Sequence, residues 1–399
     1  MNSSTVSTDL LTIYKEEQCE AFGGLYIHVP FCAQRCKYCD FSTQAASSKD
    51  SRLVSYTEEI TQQINYLSHT NILKNLRSLY IGGGTPSFLG KENLIAILKA
   101  CQNASGDFSL GSKNYDLHEW TVEANPESVT EELFAALACQ GVNRISLGVQ
   151  SFNPKFLTTL GRIHDRDQAL YAIDLAHRYF ENFSIDLMCG LPGQTFEDWQ
   201  EDLDCFLSLD IPHVSIYPLM IEQGTAIERL IDKGVLADID DDTQADMMEY
   251  AARVLKQQGY HRYEVASYAR EDFESRHNTS YWTGIPYLGL GPGAVSMRQN
   301  SQGRIRFECD FSNTCSSIES LSSEEVCAED LMMGMRRSQG ISVEQMNKAY
   351  YYFPELDQVL ENLMQKGLLY KEQGFYKPTT QGWLCGNELY GSFFELTDK

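Results

Sequence analysis

Short apolar runs alternate with helical stretches through the first half of the sequence. Each run suits a buried strand, and the helical stretches repeat their apolar residues at three- and four-residue steps. The runs cover residues 25–29, 79–81, 121–123, 144–149, 183–187 and 213–217. Strands that alternate with helices form right-handed βαβ units and a parallel sheet. We therefore predict an α/β fold in which residues 24–225 form an open (β/α)6 partial TIM barrel.

Polar or Gly-rich residues lie at the ends of these predicted strands, where barrels of this kind collect their reactive groups. Taken singly, such residues are typical of a tight turn, a helix cap or a turn former, and an arginine of a weak surface ion pair. As a set on one face they are candidates for binding a ligand. The glycines have no side chain, so their backbone can approach that ligand closely. The set is Gly82, Gly83, Gly84, Thr85, Glu123, Gln150, Arg162 and Asp186.

Three cysteines follow the first predicted strand at the spacing Cys-x3-Cys-x2-Cys: Cys32, Cys36 and Cys39. Three thiolates in one loop can hold three irons of a 4Fe-4S cluster, which leaves the fourth iron open to another ligand. Two other interpretations are open, since free cysteines are common core residues and a zinc site is built from similar ligands. A zinc site would need a fourth ligand at matching spacing, which neither Cys19 nor His28 supplies.

The cysteine triplet, with Tyr38 before Cys39, resembles the signature of the radical SAM superfamily. In that superfamily the open iron binds the amino and carboxylate groups of S-adenosylmethionine (SAM). The flanking segments Tyr-Ile-His-Val-Pro-Phe-Cys and Tyr-Cys-Asp-Phe resemble the branch of oxygen-independent coproporphyrinogen III dehydrogenases and heme chaperones. The resemblance runs from about residue 24 to residue 295. It implies SAM contacts from Tyr26, Gly83, Gly84, Thr85, Glu123, Gln150, Arg162 and Asp186.

The second half carries the motif His277-Asn278-x-x-Tyr281-Trp282. A neutral imidazole ligates iron, and aromatic rings stack on a flat macrocycle. The residues by themselves favour a polar loop with a buried aromatic pair. The motif is similar to one linked to heme binding in the heme chaperones of this branch, and that resemblance implies that His277 binds heme.

The chain is predicted to have four parts. Residues 1–23 form an N-terminal tail, residues 24–225 the barrel and residues 226–315 an extension of the barrel, with a strand at 260–269. After a linker at 316–321, helices at 331–337, 343–351 and 356–366 precede a hairpin and a last helix at 381–394. Helices with a small hairpin suggest a winged-helix-like C-terminal domain, which the family resemblance also implies for residues 316–399.

The composition limits the classes of partner and the cellular locations that this chain can have. A net charge of −23 over 399 residues argues against binding nucleic acid or anionic lipid, both of which need a basic face. The sequence contains no apolar stretch long enough for a transmembrane helix and no basic secretory n-region. Twelve cysteines are too sparse for a disulfide scaffold. These features predict a cytoplasmic, reducing location, which an oxygen-labile cluster would need.

Three functions are compatible with these features. The dehydrogenases of the branch have a fourth cysteine where this chain has Phe41, and a longer N-terminal arm. We therefore expect a heme chaperone that binds a 4Fe-4S cluster, SAM and heme and passes heme to acceptor proteins, such as respiratory ones; the family resemblance also allows a homodimer. The alternative is a coproporphyrinogen III dehydrogenase that cleaves SAM reductively, so enzyme activity stays open. A zinc-bearing interaction protein is the third, least specific interpretation.

Overall fold

The computed structural model describes residues 7–15, 20–70, 72–105, 119–238 and 240–397. Cys19 and the first six residues of the predicted N-terminal tail lie outside these ranges.

The described strands are short, and most belong to one sheet. They are β1 (Ser7–Asp9), β2 (Gly24–Val29), β3 (Phe31–Cys32), β4 (Gln44–Ala45), β5 (Ser78–Gly83), β6 (Glu119–Ala124), β7 (Arg144–Gln150), β8 (Asn182–Cys189), β9 (His213–Pro218), β10 (His261–Arg262), β11 (Ser267–Ala269), β12 (Tyr287–Leu290), β13 (Val295–Asn300), β14 (Gly303–Cys309), β15 (Thr314–Ser322), β16 (Ile341–Ser342), β17 (Leu369–Glu372) and β18 (Phe375–Pro378).

The described helices connect the strands of the barrel and then dominate the C-terminal part. They are α1 (Leu10–Lys15), α2 (Ser51–Ser68), α3 (Lys91–Ser105), α4 (Glu131–Cys139), α5 (Pro154–Leu160), α6 (Arg166–Tyr179), α7 (Phe196–Ser208), α8 (Ala226–Asp232), α9 (Asp241–Gln257), α10 (Arg276–Trp282), α11 (Ser323–Met335), α12 (Val343–Ala349), α13 (Leu356–Gln365), α14 (Thr380–Leu384) and α15 (Gly386–Phe394). Among the residues searched, no helix has the length and apolar character that crossing a membrane requires.

The main sheet has 13 strands in the order β1-β15-β14-β13-β12-β2-β5-β6-β7-β8-β9-β11-β10. Its centre is the predicted set of six strands, β2, β5, β6, β7, β8 and β9, each parallel to the next. β12 extends this parallel set beside β2, and antiparallel strands continue the sheet on both sides. The α/β barrel fold is therefore confirmed, and the barrel is open.

Helix starts and apolar faces explain why the connecting segments pack on this sheet. α2 begins after Asp50, whose side chain accepts a hydrogen bond from the backbone N–H of Arg52, and α6 and α7 begin with capping boxes. The buried positions of α2 recur at three- and four-residue steps and face the core: Leu53, Tyr56, Thr57, Ile60, Gln63, Ile64 and Leu67. Every residue of β7 is buried, as expected of a strand covered on both faces.

Two local predictions are wrong. Residues 316–321, predicted as a linker, belong to the strand β15, which pairs with β14 and with β1. Most β15 side chains are exposed, so the strand lacks the apolar signal by which strands are recognised. Residues 260–269, predicted as one strand, form the antiparallel pair β10 and β11. A disulfide joins Cys309 to Cys315 across β14 and β15.

The C-terminal part has a second core and its own sheet, in the order β16-β18-β17. The core is formed by α11, α12, α13 and α15 together with this sheet, with Leu331, Met346, Leu360 and Phe393 among its buried residues. The predicted last helix is divided at Cys385 into α14 and α15. The predicted hairpin is present as β17 and β18. The division of the chain into four parts stays a prediction.

Candidate functional site

A cavity of about 310 Å³ opens at the carboxyl ends of the barrel strands. The structure brings ten of the predicted site residues to its lining, from the cysteine loop, four successive strand ends and the connection after α5. They are Cys32, Cys36, Cys39, Gly83, Gly84, Thr85, Glu123, Gln150, Arg162 and Asp186. The prediction that the strand ends converge is thus met by the geometry. We call this end of the barrel the mouth.

The cysteine loop is held against the barrel by backbone and side-chain hydrogen bonds. Lys37 N–H donates to the carbonyl of Leu160 at 2.9 Å, so the loop is tied to the end of α5. The Thr85 hydroxyl donates to Cys32 Sγ at 3.3 Å, and an Arg162 N–H donates to Cys36 Sγ at 3.5 Å. Donors of this kind are typical of the surroundings of metal-bound thiolates, whose charge they stabilise.

The three thiols lie together on one loop at the cavity, and iron binding would have to overcome the raised pKa of two of them. Burial raises the pKa of Cys32 to about 11, against the opposing effect of the Thr85 hydrogen bond, and burial also raises the pKa of Cys39. Binding to iron would replace the thiol protons. In the described ranges, no three Cys, His, Asp or Glu side chains are grouped to hold a single ion. A cluster makes a different demand, because each thiolate binds its own iron.

The glycine turn leaves no room for side chains beside the cysteine loop. Gly84 N–H donates to the Val29 carbonyl at 2.7 Å. A Cβ on Gly84 would lie 2.7 Å from the carbonyl oxygen of Phe31 and 3.0 Å from Cys32 Sγ. Gly83 has φ of 110°, which side chains rarely adopt. Only glycine therefore brings this backbone against the loop that carries Cys32.

Two carboxylates face the cavity from neighbouring parts of the sheet. Glu123 accepts hydrogen bonds from the Tyr80 hydroxyl at 2.6 Å and from Gly83 N–H at 3.0 Å. Burial raises its pKa to about 7, against the Tyr80 bond. Burial likewise raises the pKa of Asp186 to about 6, and the Arg144 guanidinium opposes that rise. Both carboxyl groups can accept hydrogen bonds from a ligand, which would offset part of the free energy lost by burying them.

Arg162 is one of two arginines that line the cavity, with Arg35, and Asn125 holds it there. Arg162 donates to Asn125 Oδ1 at 2.8 Å and to the Gly148 carbonyl at 2.6 Å. Asn125 in turn donates to Thr85 Oγ1 at 2.9 Å. The Asn125 side chain makes no hydrogen bond to the backbone of the turn that follows it. Asn125 is one of the lining residues outside the predicted set, along with Arg35, Ser146 and Tyr217; its position two residues after Glu123 was the available signal.

Gln150 is held in an unusual backbone conformation. Its φ of 69° lies in the left-handed region, which residues other than glycine seldom adopt. The strand β7 is irregular at this point, where its register with β8 shifts between Gly148 and Gln150. Strained backbone of this kind is common at functional sites. Here the irregular end of β7 places Gln150 in the lining of the cavity.

Tyr26 lies behind the cavity lining. Its hydroxyl bonds His28 Nδ1 at 2.9 Å, and its ring centroid lies 6.2 Å from that of Tyr80. Tyr80 also bonds Glu123, so Tyr26 supports the wall of the cavity from inside the barrel. Its predicted contact with SAM stays a prediction.

His277 lies at the opposite end of the barrel, which we call the floor. Its Nδ1 bonds the hydroxyl of Ser78, the first residue of β5, at 2.8 Å, and its Nε2 bonds the Tyr281 hydroxyl at 2.9 Å. The imidazole stacks on Tyr80 with centroids 4.9 Å apart. Burial lowers its pKa to about 3, with the Arg144 charge as a further cause. The structure thus does not bring His277 together with the other predicted site residues.

The residues around His277 in the motif also have partners inside the protein. The carboxylate of Glu119, at the start of β6, accepts hydrogen bonds from the backbone N–H groups of Arg276 and His277, at 2.8 and 3.0 Å. It also accepts one from the Ser275 hydroxyl at 3.2 Å. The Arg336 guanidinium lies 4.6 Å from the ring centroid of Trp282. These contacts anchor α10 under the barrel. Trp282 Nε1 is the exception, since it is buried without a hydrogen-bond partner among the described residues.

Comparisons with known proteins agree with this geometry. The family model described as the radical SAM superfamily matches residues 26–206. Heme chaperone HemW of Lactococcus lactis subsp. lactis (strain IL1403) is 35% identical over 378 residues, which cover 92% of this chain and 96% of the relative. Heme chaperone HemW of Bacillus subtilis (strain 168) is 33% identical over 383 residues, which cover 92% and 98%.

Among solved structures, coproporphyrinogen III oxidase (HemN) from Escherichia coli superposes with a TM-score of 0.77 at 20% identity, over 94% of this chain and 90% of that one. At this identity the similarity shows a shared fold. It extends beyond the barrel into the C-terminal part, since nearly the whole of both chains is covered.

Proposed function

Because the chain belongs to the HemN/HemW branch of the radical SAM superfamily, we propose that it is a heme chaperone that carries a 4Fe-4S cluster and SAM and transfers heme to acceptor proteins. The observation that carries the proposal is the similarity to heme chaperones over nearly the full length of both chains. Phe41 supports the choice within the branch. It stands where the dehydrogenases have a fourth cysteine, and its side chain is 62% exposed at the mouth.

Cys32, Cys36 and Cys39 would hold the cluster. When bound, the cluster supplies an open iron for the amino and carboxylate groups of SAM. Glu123, Gln150 and Asp186 would accept or donate hydrogen bonds to the polar groups of SAM from the strand ends. Arg162 would offset the charge of a carboxylate, as its existing bond to Cys36 offsets that of a thiolate.

We propose that His277 contacts heme, which requires one of its ring nitrogens to lose its present partner. Both ring nitrogens already have partners, so iron would have to replace Ser78 or Tyr281. The low pKa suits a metal ligand in one respect, because the imidazole is neutral and keeps a lone pair at physiological pH. A contact with heme at this position requires the floor to open.

We further propose that heme-acceptor proteins, and not nucleic acids, are the macromolecular partners, in keeping with the net charge of −23. A cytoplasmic setting would protect an oxygen-labile cluster. A homodimer stays a family-level expectation.

The test is an anaerobic titration of the cluster-reconstituted protein with heme, followed by visible absorption. Apomyoglobin is then added as a model acceptor. We expect saturation at a single heme per chain and transfer of that heme to apomyoglobin. Heme that binds without saturation, or that the protein retains in the presence of apomyoglobin, would refute the chaperone function.

The complete set of mouth residues favours a second candidate, a radical SAM enzyme that oxidises coproporphyrinogen III. The assay is strictly anaerobic incubation of coproporphyrinogen III with SAM, a strong reductant and the cluster-loaded protein. Protoporphyrinogen would establish this activity, and its absence beside an active dehydrogenase control would exclude it.

A further inference from the structure

The side-chain amide of Asn125 joins two hydrogen-bond donors of the cysteine thiols. Its Oδ1 accepts a hydrogen bond from Arg162 at 2.8 Å, and its Nδ2 donates to Thr85 Oγ1 at 2.9 Å. The Thr85 hydroxyl donates in turn to Cys32 Sγ at 3.3 Å. Arg162 donates to Cys36 Sγ at 3.5 Å. One amide therefore holds the donors of two of the three cysteines that are candidates for binding the cluster.

The direction of these hydrogen bonds follows from the chemistry of the side chains. A guanidinium only donates, so the oxygen of the Asn125 amide has to face Arg162. The amide nitrogen then faces Thr85, and the Thr85 oxygen accepts from it. This leaves the Thr85 hydroxyl proton to point at Cys32 Sγ. Hydrogen bonds in such a chain strengthen one another, because each one polarises the next.

The backbone around Asn125 fixes the amide in this position, directly after β6. Pro126 restricts the residue before it to extended conformations, and Asn125 adopts φ of −107° and ψ of 144°. The Asn125 N–H donates to Ser87 Oγ at 3.2 Å. The Asn125 carbonyl accepts from the N–H of Ser128 at 3.0 Å. The side chain is thus carried by a backbone that is held on both sides.

The neighbouring strand β7 leaves room for the amide only because it carries a glycine there. A Cβ on Gly148 would lie 2.6 Å from Asn125 Oδ1 and 3.4 Å from an Arg162 nitrogen. The Gly148 carbonyl accepts a hydrogen bond from that same Arg162 nitrogen at 2.6 Å. An alanine at position 148 would therefore displace the amide without removing it. The chain thus offers a second, independent way to break the arrangement.

We propose that Asn125 is a positioning residue that raises the reduction potential of the 4Fe-4S cluster. It aims the Thr85 hydroxyl at Cys32, and it aims the Arg162 guanidinium at Cys36. This inference rests on the proposed cluster. Hydrogen bonds and positive charge at the cysteine sulfurs stabilise the cluster that carries one more electron, so they raise its potential. Reduction takes that electron from an external reductant such as dithionite and requires no bond to break.

The experiment measures the midpoint potential of the full-length, cluster-reconstituted protein in the absence of SAM. An anaerobic titration with dithionite is followed by visible absorption and by electron paramagnetic resonance of the reduced cluster. Asn125→Ala should lower the midpoint potential by at least about 59 mV, a tenfold change in the ratio of reduced to oxidised cluster for one electron. Gly148→Ala should shift it in the same direction. The iron content should not change, because all three cysteines are retained.

A double-mutant cycle tests whether Asn125 acts through Thr85. Thr85→Val keeps the shape of the side chain and removes the hydroxyl, so it should lower the potential, and Thr85→Ser should keep the potential of the unmodified protein. In the Thr85→Val background, Asn125→Ala should lower the potential by less than it does alone, because part of its effect passes through the missing hydroxyl. Effects that add in full would overturn the link through Thr85.

Asn362→Ala, at an exposed asparagine of α13, is the matched control and should leave the potential unchanged. Circular dichroism verifies the folding of each variant, and Gly148→Ala and Thr85→Val decide the question if Asn125→Ala does not fold. An unmodified protein that takes up no iron would refute the proposed cluster and this inference together. A normal cluster with the same potential in the unmodified protein, Asn125→Ala and Gly148→Ala would overturn this inference alone. Reduced iron content at an unchanged potential would also overturn it, since Asn125 would then only support the loop.

Discussion

The mouth and the floor of the barrel are both lined by polar side chains, but they differ in where those side chains find partners. At the mouth, Glu123, Asp186 and Arg162 face a cavity of about 310 Å³. At the floor, Glu119 and His277 are bonded to other groups of the protein. A polar motif is therefore a stronger candidate for a ligand site where part of its hydrogen-bonding capacity faces a space.

The two ends also differ in their effect on the stability of the fold. Burial raises the pKa of both mouth carboxylates, and Gln150 has a positive φ, so the mouth is held under strain. The floor shows the reverse, because three of the four donors to the Glu119 carboxylate come from residues 275–277 and fix α10 in place. We expect substitutions at the mouth to affect ligands and substitutions at the floor to affect stability.

The largest expected effect tests the mouth. Cys36→Ala should abolish the 4Fe-4S cluster, because two thiolates cannot replace the three that hold it. The free energy of unfolding of the cluster-free protein should change by less than about 1 kcal/mol, as is usual for a partly exposed side chain. Iron content and visible absorption after anaerobic reconstitution measure the first effect, and urea unfolding the second. Cys139→Ser, at an exposed cysteine, is the matched control.

The next effect tests the floor. Glu119→Ala removes the acceptor for the Ser275 hydroxyl and for the N–H groups of Arg276 and His277. We expect a loss of about 3 to 5 kcal/mol in the free energy of unfolding, since each buried donor left without a partner costs about 1–3 kcal/mol. The protein should still take up its cluster. Glu132→Ala, at an exposed glutamate in the first turn of α4, should change stability little; equal effects of the two substitutions would refute the assigned role of the floor.

The smallest effect is the pH dependence of the mouth. The pKa of Glu123 rises from 4.5 to about 7 on folding. A raised pKa means that the protonated form is stabilised, so this contribution is complete below pH 4.5 and disappears as the pH rises to 7. For cluster-free protein we expect Glu123 to contribute a loss on the order of 3 kcal/mol over this window, because a pKa difference of one corresponds to about 1.4 kcal/mol.

Urea unfolding at several pH values measures this slope. Glu123→Gln should flatten it, and Glu132→Gln should not. Asp186 contributes a slope of the same sign, so some dependence should remain in Glu123→Gln. The lowered pKa of His277 contributes a slope of the opposite sign, so the test is the difference between the two proteins: an unchanged slope in Glu123→Gln would contradict the pKa direction given for Glu123.

Sequence reasoning located the barrel and most of the mouth because both follow from local signals. Parallel strands buried on both faces appear as uninterrupted apolar runs, and their carboxyl ends meet at one edge by topology. Gly83, Glu123, Gln150 and Asp186 were found in this way. β15 was missed because its side chains are mostly exposed, so neither an apolar run nor an alternation marks it.

The position of His277 depended on contacts that are distant in sequence. Its place at the floor is set by Glu119, Ser78 and the pairing of β12 with β2, none of which leaves a local pattern around the motif. Asn125 was missed for a related reason, since its partner Arg162 lies on another connection of the barrel. Sequence spacing predicts where strands end, and it does not predict which side chains bond across the interior.

Tyr80 joins the two ends of the barrel. Its ring stacks on His277, and its hydroxyl holds Glu123. A change at position 277 therefore reaches the mouth through one intervening side chain, and a change at 123 reaches the floor in the same way. The two positions are expected to show epistasis, so the phenotype of a single His277 variant would combine a local loss with a displaced carboxylate at the other end. A genetic screen that scored position 277 by heme retention alone would then attribute to a lost heme contact an effect that comes from the displaced Glu123 at the mouth.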